Sequence, residues 1–218
     1  MTTEKYDLII SGGTIAGPQG AQEGDIAIKD KRFAAMGDLA DAEADERLDV
    51  SGLTVLPGVI DTQVHFREPG LEHKEDLQSG SLAAVMGGVT TVFEMPNTKP
   101  PTTNKEAIED KVERGRNRMH CDFAFYVGGT HENAAQLPEL ERMEGICGVK
   151  VFMGSSTGNL LVPDDDGVGE ILKHIIYNND EHEFYSYTPD NHIIITDINE
   201  KTLSETSNEL SCEHMVLD

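Results

Sequence analysis

The residues of this chain best suited to chemistry lie in the segment Gln63-Val64-His65-Phe66-Arg67, which comes after a Pro-Gly turn, at the end of an apolar β-rich run that is predicted to be a buried strand. Imidazole is the commonest side-chain ligand for metal ions, and a guanidinium presents a planar fork of donors that fits a carboxylate. Side chains two positions apart on a strand share a face, so Asp61, Gln63 and His65 are predicted to point the same way. The spacing places a metal ligand, His65, and an anion anchor, Arg67, at one strand end.

Two further polar residues fall where other strands are predicted to end. Lys150 alternates with Val149 and Val151, so the valines are predicted to face helices and Lys150 the opposite side. A fully buried lysine is rare unless it is paired, which makes Lys150 a functional candidate. Asn97 follows another predicted strand in a turn-rich segment and is a candidate too. The structural alternatives are a lysine that extends to solvent, a turn asparagine and a surface salt bridge for Arg67.

The pattern after Pro57 predicts a scaffold that brings strand ends together. β-rich runs at residues 59–65, 89–94, 122–127 and 148–153 alternate with helical segments, which indicates parallel α/β units. One predicted helix, 75–86, ends at Gly87, and another, 107–119, follows a capping box that starts at Thr103. Such a series fits half of a TIM (β/α) barrel, whose active sites lie at the C-terminal ends of the strands.

The chain divides into three predicted regions. Residues 1–54 alternate β-rich runs with Gly-rich turns, which predicts a small antiparallel β-sandwich segment. Residues 55–174 are predicted to form the first four to five βα units of the partial barrel and carry every candidate site residue. Residues 175–218 are atypical and acidic, and all 21 glycines of the chain lie at or before Gly169. A β-like run at 192–196 and an acidic helix at 199–210 are predicted there.

Composition limits the classes of partner. The net charge of −23 opposes binding to nucleic acid and to anionic membranes, because both attract basic patches. No apolar run approaches the roughly 20 residues of a membrane span, and the first residues have no signal-peptide pattern, so a cytoplasmic location is expected. The 3 cysteines include no C-x-x-C pair and predict neither a disulfide framework nor a zinc ribbon. In so acidic a chain an anionic substrate needs a local positive group, which favours Arg67.

The residues Asp61-Thr62-Gln63-Val64-His65 resemble the first barrel strand of the amidohydrolase superfamily, and the following Phe66-Arg67-Glu68-Pro69-Gly70 is most similar to dihydroorotase. The resemblance covers about residues 6–173. It implies one or two divalent ions, zinc in the first instance, with His65 as a ligand. It also implies that Arg67 and Asn97 bind the substrate.

The segment Gly148-Val149-Lys150-Val151-Phe152-Met153-Gly154 carries a second resemblance. It is similar to the strand that in hydantoinases, allantoinases and many dihydroorotases holds a lysine carboxylated by carbon dioxide. The resemblance therefore implies that Lys150 is a metal ligand and a catalytic group.

Two features depart from the family pattern. The superfamily has two histidines in its first barrel strand, and this chain has Gln63 in place of the first. A neutral amide oxygen is a poorer zinc ligand than imidazole, which puts half of that ligand pair in doubt. A complete barrel takes about 250 residues, more than follow Pro57, so the chain is expected to be truncated or misjoined, inactive alone, and poorly folded or self-associating.

The leading hypothesis is a metal-dependent cyclic amide hydrolase of dihydroorotase type, which interconverts N-carbamoyl-aspartate and dihydroorotate in pyrimidine biosynthesis. One alternative is a noncatalytic dihydroorotase-like scaffold or regulatory subunit, which Gln63 favours. Another is hydantoinase- or allantoinase-like ring opening, which shares the chemistry and differs in the substrate anchor. The partners that the resemblance implies are a second copy of the chain or aspartate transcarbamoylase.

Overall fold

The computed structural model describes residues 5–18, 20–154, 156, 159–176, 183–187 and 193–197. Contacts divide the chain into two units, Met1–Val59 and Ile60–Asp218. Across the described residues no helix is long and apolar enough to cross a membrane.

The first unit is one mixed sheet. Its strands are β1 (Tyr6–Gly17), β2 (Gly20–Lys29), β3 (Arg32–Gly37), β4 (Ala44–Asp49) and β5 (Thr54–Val55). The order is β3-β2-β1-β4, and β5 also pairs with β1. The β1–β2 and β2–β3 pairs are antiparallel, as the Gly-rich turns predict. However, β4 and β5 run parallel to β1, so the predicted antiparallel sandwich is wrong in this respect.

The connection from β3 to β4 explains the mixed sheet. It crosses to the far side of β1, and two polar side chains hold it there. Asp25 accepts a hydrogen bond from the Leu39 amide, and the Arg47 guanidinium donates to the carbonyls of Leu39 and Ala42. Because these contacts join the connection to side chains on β2 and β4, the turn pattern along the chain contains no sign of them.

The second unit contains a four-stranded sheet with the order β6-β7-β8-β9. The strands are β6 (Val59–Val64), β7 (Val89–Glu94), β8 (Asp122–Gly128) and β9 (Ile146–Lys150). The helices are α1 (Leu77–Met86), α2 (Lys105–Gly115), α3 (Leu137–Leu140), which follows a 3₁₀ turn at Ala134–Gln136, and α4 (Asp165–Ile176). Strands β7, β8 and β9 pair in parallel. This alternation confirms the predicted α/β arrangement and is consistent with part of a barrel.

Two more strands, β10 (Glu183–Tyr187) and β11 (Ile193–Asp197), form a separate antiparallel pair. Within the described part of the chain, no fifth strand joins the four-stranded sheet. The β-like run predicted at 192–196 thus pairs with β10. The acidic helix predicted at 199–210 lies outside the described residues.

Helix α2 begins differently from the prediction. The capping residue is Asn104 and not Thr103. The Oδ1 of Asn104 accepts a hydrogen bond from the Ala107 amide at 2.9 Å. Asparagine is among the best N-cap residues, and the Thr103 carbonyl is bound by the side-chain amide of Asn133. The predicted start and end of α1 agree better with the structure, in which Asp76 caps the start of the helix and Gly87 its end.

Apolar residues fill the space between the sheet and its helices. Val149 and Val151 pack on this side, as the alternation predicts. The buried residues of the cluster around them are Ile108, Val127, Ala134, Leu137, Leu140, Val162, Ile171 and Ile175. A second cluster consists of Val64, Phe66, Leu77, Val92 and Phe125. Burial of such a side chain contributes roughly 1.5–3 kcal/mol, so these two clusters stabilise the packing of the helices on the sheet.

Strand β6 differs from the buried strand that its apolar sequence predicts. Val59 and Ile60 are 49% and 55% exposed, and only Val64 is buried. The reason is its place in the sheet, since among the described strands β6 lies at one edge and pairs only with β7.

Candidate functional site

The candidate residues lie at the C-terminal ends of the strands of the second unit. His65 directly follows β6, Asn97 lies in the loop after β7, and Lys150 is the last residue of β9. His65 Nδ1 lies 3.0 Å from Asn97 Oδ1. The charges of Arg67 and Lys150 both act on the pKa of His65, so the fold places these four residues in one neighbourhood.

The surroundings of His65 favour a neutral imidazole. Burial lowers its pKa, and the positive charges of Arg67 and Lys150 lower it further, while the hydrogen bond to Asn97 acts in the opposite direction. Because an amide oxygen can only accept, the proton of the neutral ring lies on Nδ1. The lone pair of Nε2 is then available, which is the form of histidine that binds a metal ion.

Lys150 is buried, with 6% of its surface exposed. Its Nζ lies 5.2 Å from the centroid of the Phe152 ring. Burial lowers the pKa of Lys150, because the charged ammonium loses hydration there. An amine with a lowered pKa is more often neutral, and a neutral amine is the form that reacts with carbon dioxide.

The described residues fit only part of a metal site. His65 supplies one ligand, and a carboxylated Lys150 would supply a second. Gln63 and Asp61 are exposed, and the Asp61 carboxylate accepts a hydrogen bond from the backbone N–H of Gln63 at 3.0 Å. In the described ranges, no set of three or more His, Cys, Asp or Glu side chains is arranged to hold a metal ion.

Sequence reasoning missed a buried ion pair beneath the site. Glu94 Oε2 accepts from the Phe66 amide at 2.8 Å and Oε1 from the Arg67 amide at 3.2 Å. Lys111 Nζ lies 3.8 Å from Glu94 Oε1, and both side chains are almost fully buried. Burial raises the pKa of Glu94 and lowers that of Lys111 to about 8, and each partner opposes the shift of the other. A glutamate at the end of an apolar strand is the only sequence signal for it.

Glu68 is a second anchor that the motif alone does not reveal. Its carboxylate accepts two hydrogen bonds from Arg118, at 2.7 and 3.1 Å, and one from the Leu77 amide at 3.1 Å. Burial raises the pKa of Glu68, but the bonds from Arg118 and Leu77 outweigh this and hold it below its usual value. Glu68 thus fixes the loop after β6 to the start of α1.

Comparison with known proteins shows which proteins the chain is similar to. Residues 52–144 match the family model described as Dihydro-orotase-like. An allantoinase from Deinococcus radiodurans is 38% identical over 151 residues, which cover 69% of this chain and 34% of that protein. An allantoinase from Escherichia coli is 40% identical over 152 residues, covering 69% of this chain and 33% of that protein. The chain thus spans about a third of the length of these relatives.

Solved structures of hydantoinases have a fold similar to that of this chain. L-hydantoinase (dihydropyrimidinase) from Arthrobacter aurescens superposes with a TM-score of 0.71 at 33% identity, over 79% of this chain and 39% of that one. A D-hydantoinase (dihydropyrimidinase) from Thermus sp. gives a TM-score of 0.64 at 28% identity, over 77% and 37% of the two chains.

These findings support a place for the chain in the amidohydrolase superfamily. Within it, the similarity is to the cyclic amidohydrolases, the group that includes allantoinases and hydantoinases. The more specific prediction of a dihydroorotase is not confirmed, since these relatives favour the alternative of hydantoinase- or allantoinase-like ring opening. The roles assigned to His65, Arg67, Asn97 and Lys150 stay predictions.

Proposed function

We propose that this chain carries part of the active site of a metal-dependent cyclic amide hydrolase that opens hydantoin-like rings. The observation that carries the proposal is the His65–Asn97 pair at the C-terminal end of a sheet whose last strand ends in the buried Lys150. The similarity to allantoinases and hydantoinases supports the substrate class.

Each residue has a distinct part in this proposal. His65 would hold a divalent ion through Nε2, and Asn97 holds the imidazole in place by accepting a hydrogen bond from its Nδ1–H. Lys150, once carboxylated, would be a second ligand for that ion. When bound, the ion would polarise the ring carbonyl and activate water for attack on it. Arg67 donates hydrogen bonds to a carbonyl or carboxylate of the substrate and so orients the ring.

Dihydroorotase activity is the second candidate, because Arg67 suits the ring carboxylate of dihydroorotate. A hydantoin ring lacks that carboxylate, so the two activities depend on Arg67 to different extents. The lost charge-assisted pair in Arg67→Met corresponds to about 10- to 150-fold in kcat/KM for dihydroorotate. A much smaller loss is expected for hydantoin.

The test uses the protein as its gene encodes it, purified with Zn²⁺ or Co²⁺. Ring opening of hydantoin, allantoin and dihydroorotate is followed by nuclear magnetic resonance, with His65→Ala as the matched inactive variant. Turnover of hydantoin or allantoin that His65→Ala abolishes supports the proposal. Turnover of dihydroorotate alone would select the second candidate. No turnover of any of the three by metal-loaded protein would overturn both and favour a noncatalytic scaffold.

A further inference from the structure

The carboxylate of Glu94 binds the backbone of the loop that carries two candidate site residues. Its side chain is 1% exposed. Its two oxygens accept hydrogen bonds from the backbone N–H groups of Phe66 and Arg67, at 2.8 and 3.2 Å. These amides directly follow His65 in the chain. The carboxylate therefore restrains the peptide planes from which the His65 and Arg67 side chains project.

Lys111 extends the same restraint to the segment that follows β7. Its Nζ lies 3.8 Å from Glu94 Oε1 and donates to the Met95 carbonyl at 2.9 Å. The Met95 amide in turn donates to the Val64 carbonyl at 3.0 Å. Since Met95 leads to Asn97, the Glu94–Lys111 pair restrains both members of the His65–Asn97 hydrogen bond.

Two physical arguments indicate that the pair serves geometry more than stability. A buried ion pair can often be replaced by apolar residues without loss of stability, because desolvation offsets the attraction between the charges. In addition, Arg67 has a φ of 70°, in the left-handed region that non-glycine residues seldom adopt. The hydrogen bond from its amide to Glu94 helps to hold this strained backbone.

We infer that Glu94 is a positioning residue of the candidate site. Through two amides it fixes the His65 ring against Asn97 and sets the direction of the Arg67 side chain. The inference rests on the proposed function in one respect, because His65 and Arg67 are the groups through which that function would act.

The experiment compares Glu94→Gln/Lys111→Met with a destabilised control, Val127→Ala. The double variant removes one amide acceptor and the donor to the Met95 carbonyl, and it leaves no unpaired buried charge. Val127 lies on β8 and is fully buried in the cluster that does not contain Phe66, so its truncation destabilises the unit without touching the Glu94 carboxylate or the Phe66 ring. A merely structural role would make the two variants behave alike.

Amide hydrogen exchange and ¹⁵N resonances of the His65 ring are measured on the purified chain without metal. In the double variant, protection of the amide that loses its acceptor, Phe66 or Arg67, is expected to fall about 10- to 150-fold relative to other amides. The single Nδ1-protonated form of His65 is expected to become a mixture. In Val127→Ala, both readouts are expected to stay as in the wild type. Equal behaviour of the two variants would overturn the inference.

A Co²⁺ titration separates this inference from the proposed function. If the wild type binds Co²⁺ through His65, the double variant is expected to bind it about 10- to 100-fold more weakly, because an orienting contact has been lost. Failure of the wild type to bind Co²⁺ would count against the proposed function, while hydrogen exchange and the ring resonances would still decide the role of Glu94.

Discussion

Gly80, in the middle of helix α1, is expected to reverse the usual effect of a helical Gly→Ala change. Such a change normally stabilises a helix by about 1 kcal/mol. However, a Cβ at position 80 would lie 2.3, 2.6 and 2.7 Å from three atoms of the Phe66 ring. Gly169, in helix α4, is the matched control, since a Cβ there would meet nothing within 4 Å.

The magnitude follows from how firmly Phe66 is held. Its ring is 9% exposed in the cluster with Leu77 and Val92, and its amide is bound to Glu94. The ring has little room to move, so the overpacking cost is expected near the upper end of the usual range, about 3 kcal/mol. After the helix-propensity gain, Gly80→Ala is expected to destabilise by about 2 kcal/mol. Gly169→Ala is expected to stabilise by up to about 1 kcal/mol.

Equilibrium denaturation of the wild type and both variants measures this difference. Phe66→Leu offers a further check, because a smaller side chain should relieve the clash and reduce the cost of Gly80→Ala in the double variant. If Gly80→Ala proves as stabilising as Gly169→Ala, the ring moves freely, and the loop after β6 is not held as described.

Three further expectations concern polar and thiol groups. The pKa of Glu68 lies below its ordinary 4.5 in the folded state, so its stabilisation is present above that pH and is lost as the pH falls through the folded value. Stability curves of Glu68→Gln should decline less steeply below pH 4.5 than those of the wild type, and parallel curves would contradict this. Asn133→Ala removes the hydrogen-bond partner of the Thr130 amide and of the carbonyls of Thr103 and Gly128. The free energy of unfolding, measured by denaturation, is expected to fall by about 2–4 kcal/mol. A fall of less than about 1 kcal/mol would refute the role of these hydrogen bonds. Burial raises the pKa of the Cys147 thiol to about 12, so little reactive thiolate is present at pH 8. In a Cys121→Ala/Cys212→Ala background, Cys147 is expected to react with thiol reagents at pH 8 only after unfolding. Rapid labelling of the folded chain would contradict this.

The local elements were predictable because they depend on neighbours along the chain. Strand β7 matches its predicted bounds, and α1 ends at Gly87 as the glycine pattern indicates. The alternation at Val149, Lys150 and Val151 gave the correct side for the valines, because strand geometry fixes side-chain direction with a period of two. The same local pattern placed His65 and Asn97 at strand ends, whereas Lys150 lay inside the predicted run 148–153 and ends β9 only in the structure.

Only the tertiary structure decided what joins distant segments. Glu68 and Arg118 are 50 positions apart, and no local spacing marks them as partners. The same holds for the Glu94 carboxylate and the two backbone amides whose hydrogen bonds it accepts. The prediction that β6 is buried was also wrong, because an apolar run shows a preference for burial but not whether the strand lies at a sheet edge. Burial and pairing depend on which segments meet in space, and that is fixed by the packing of the whole chain.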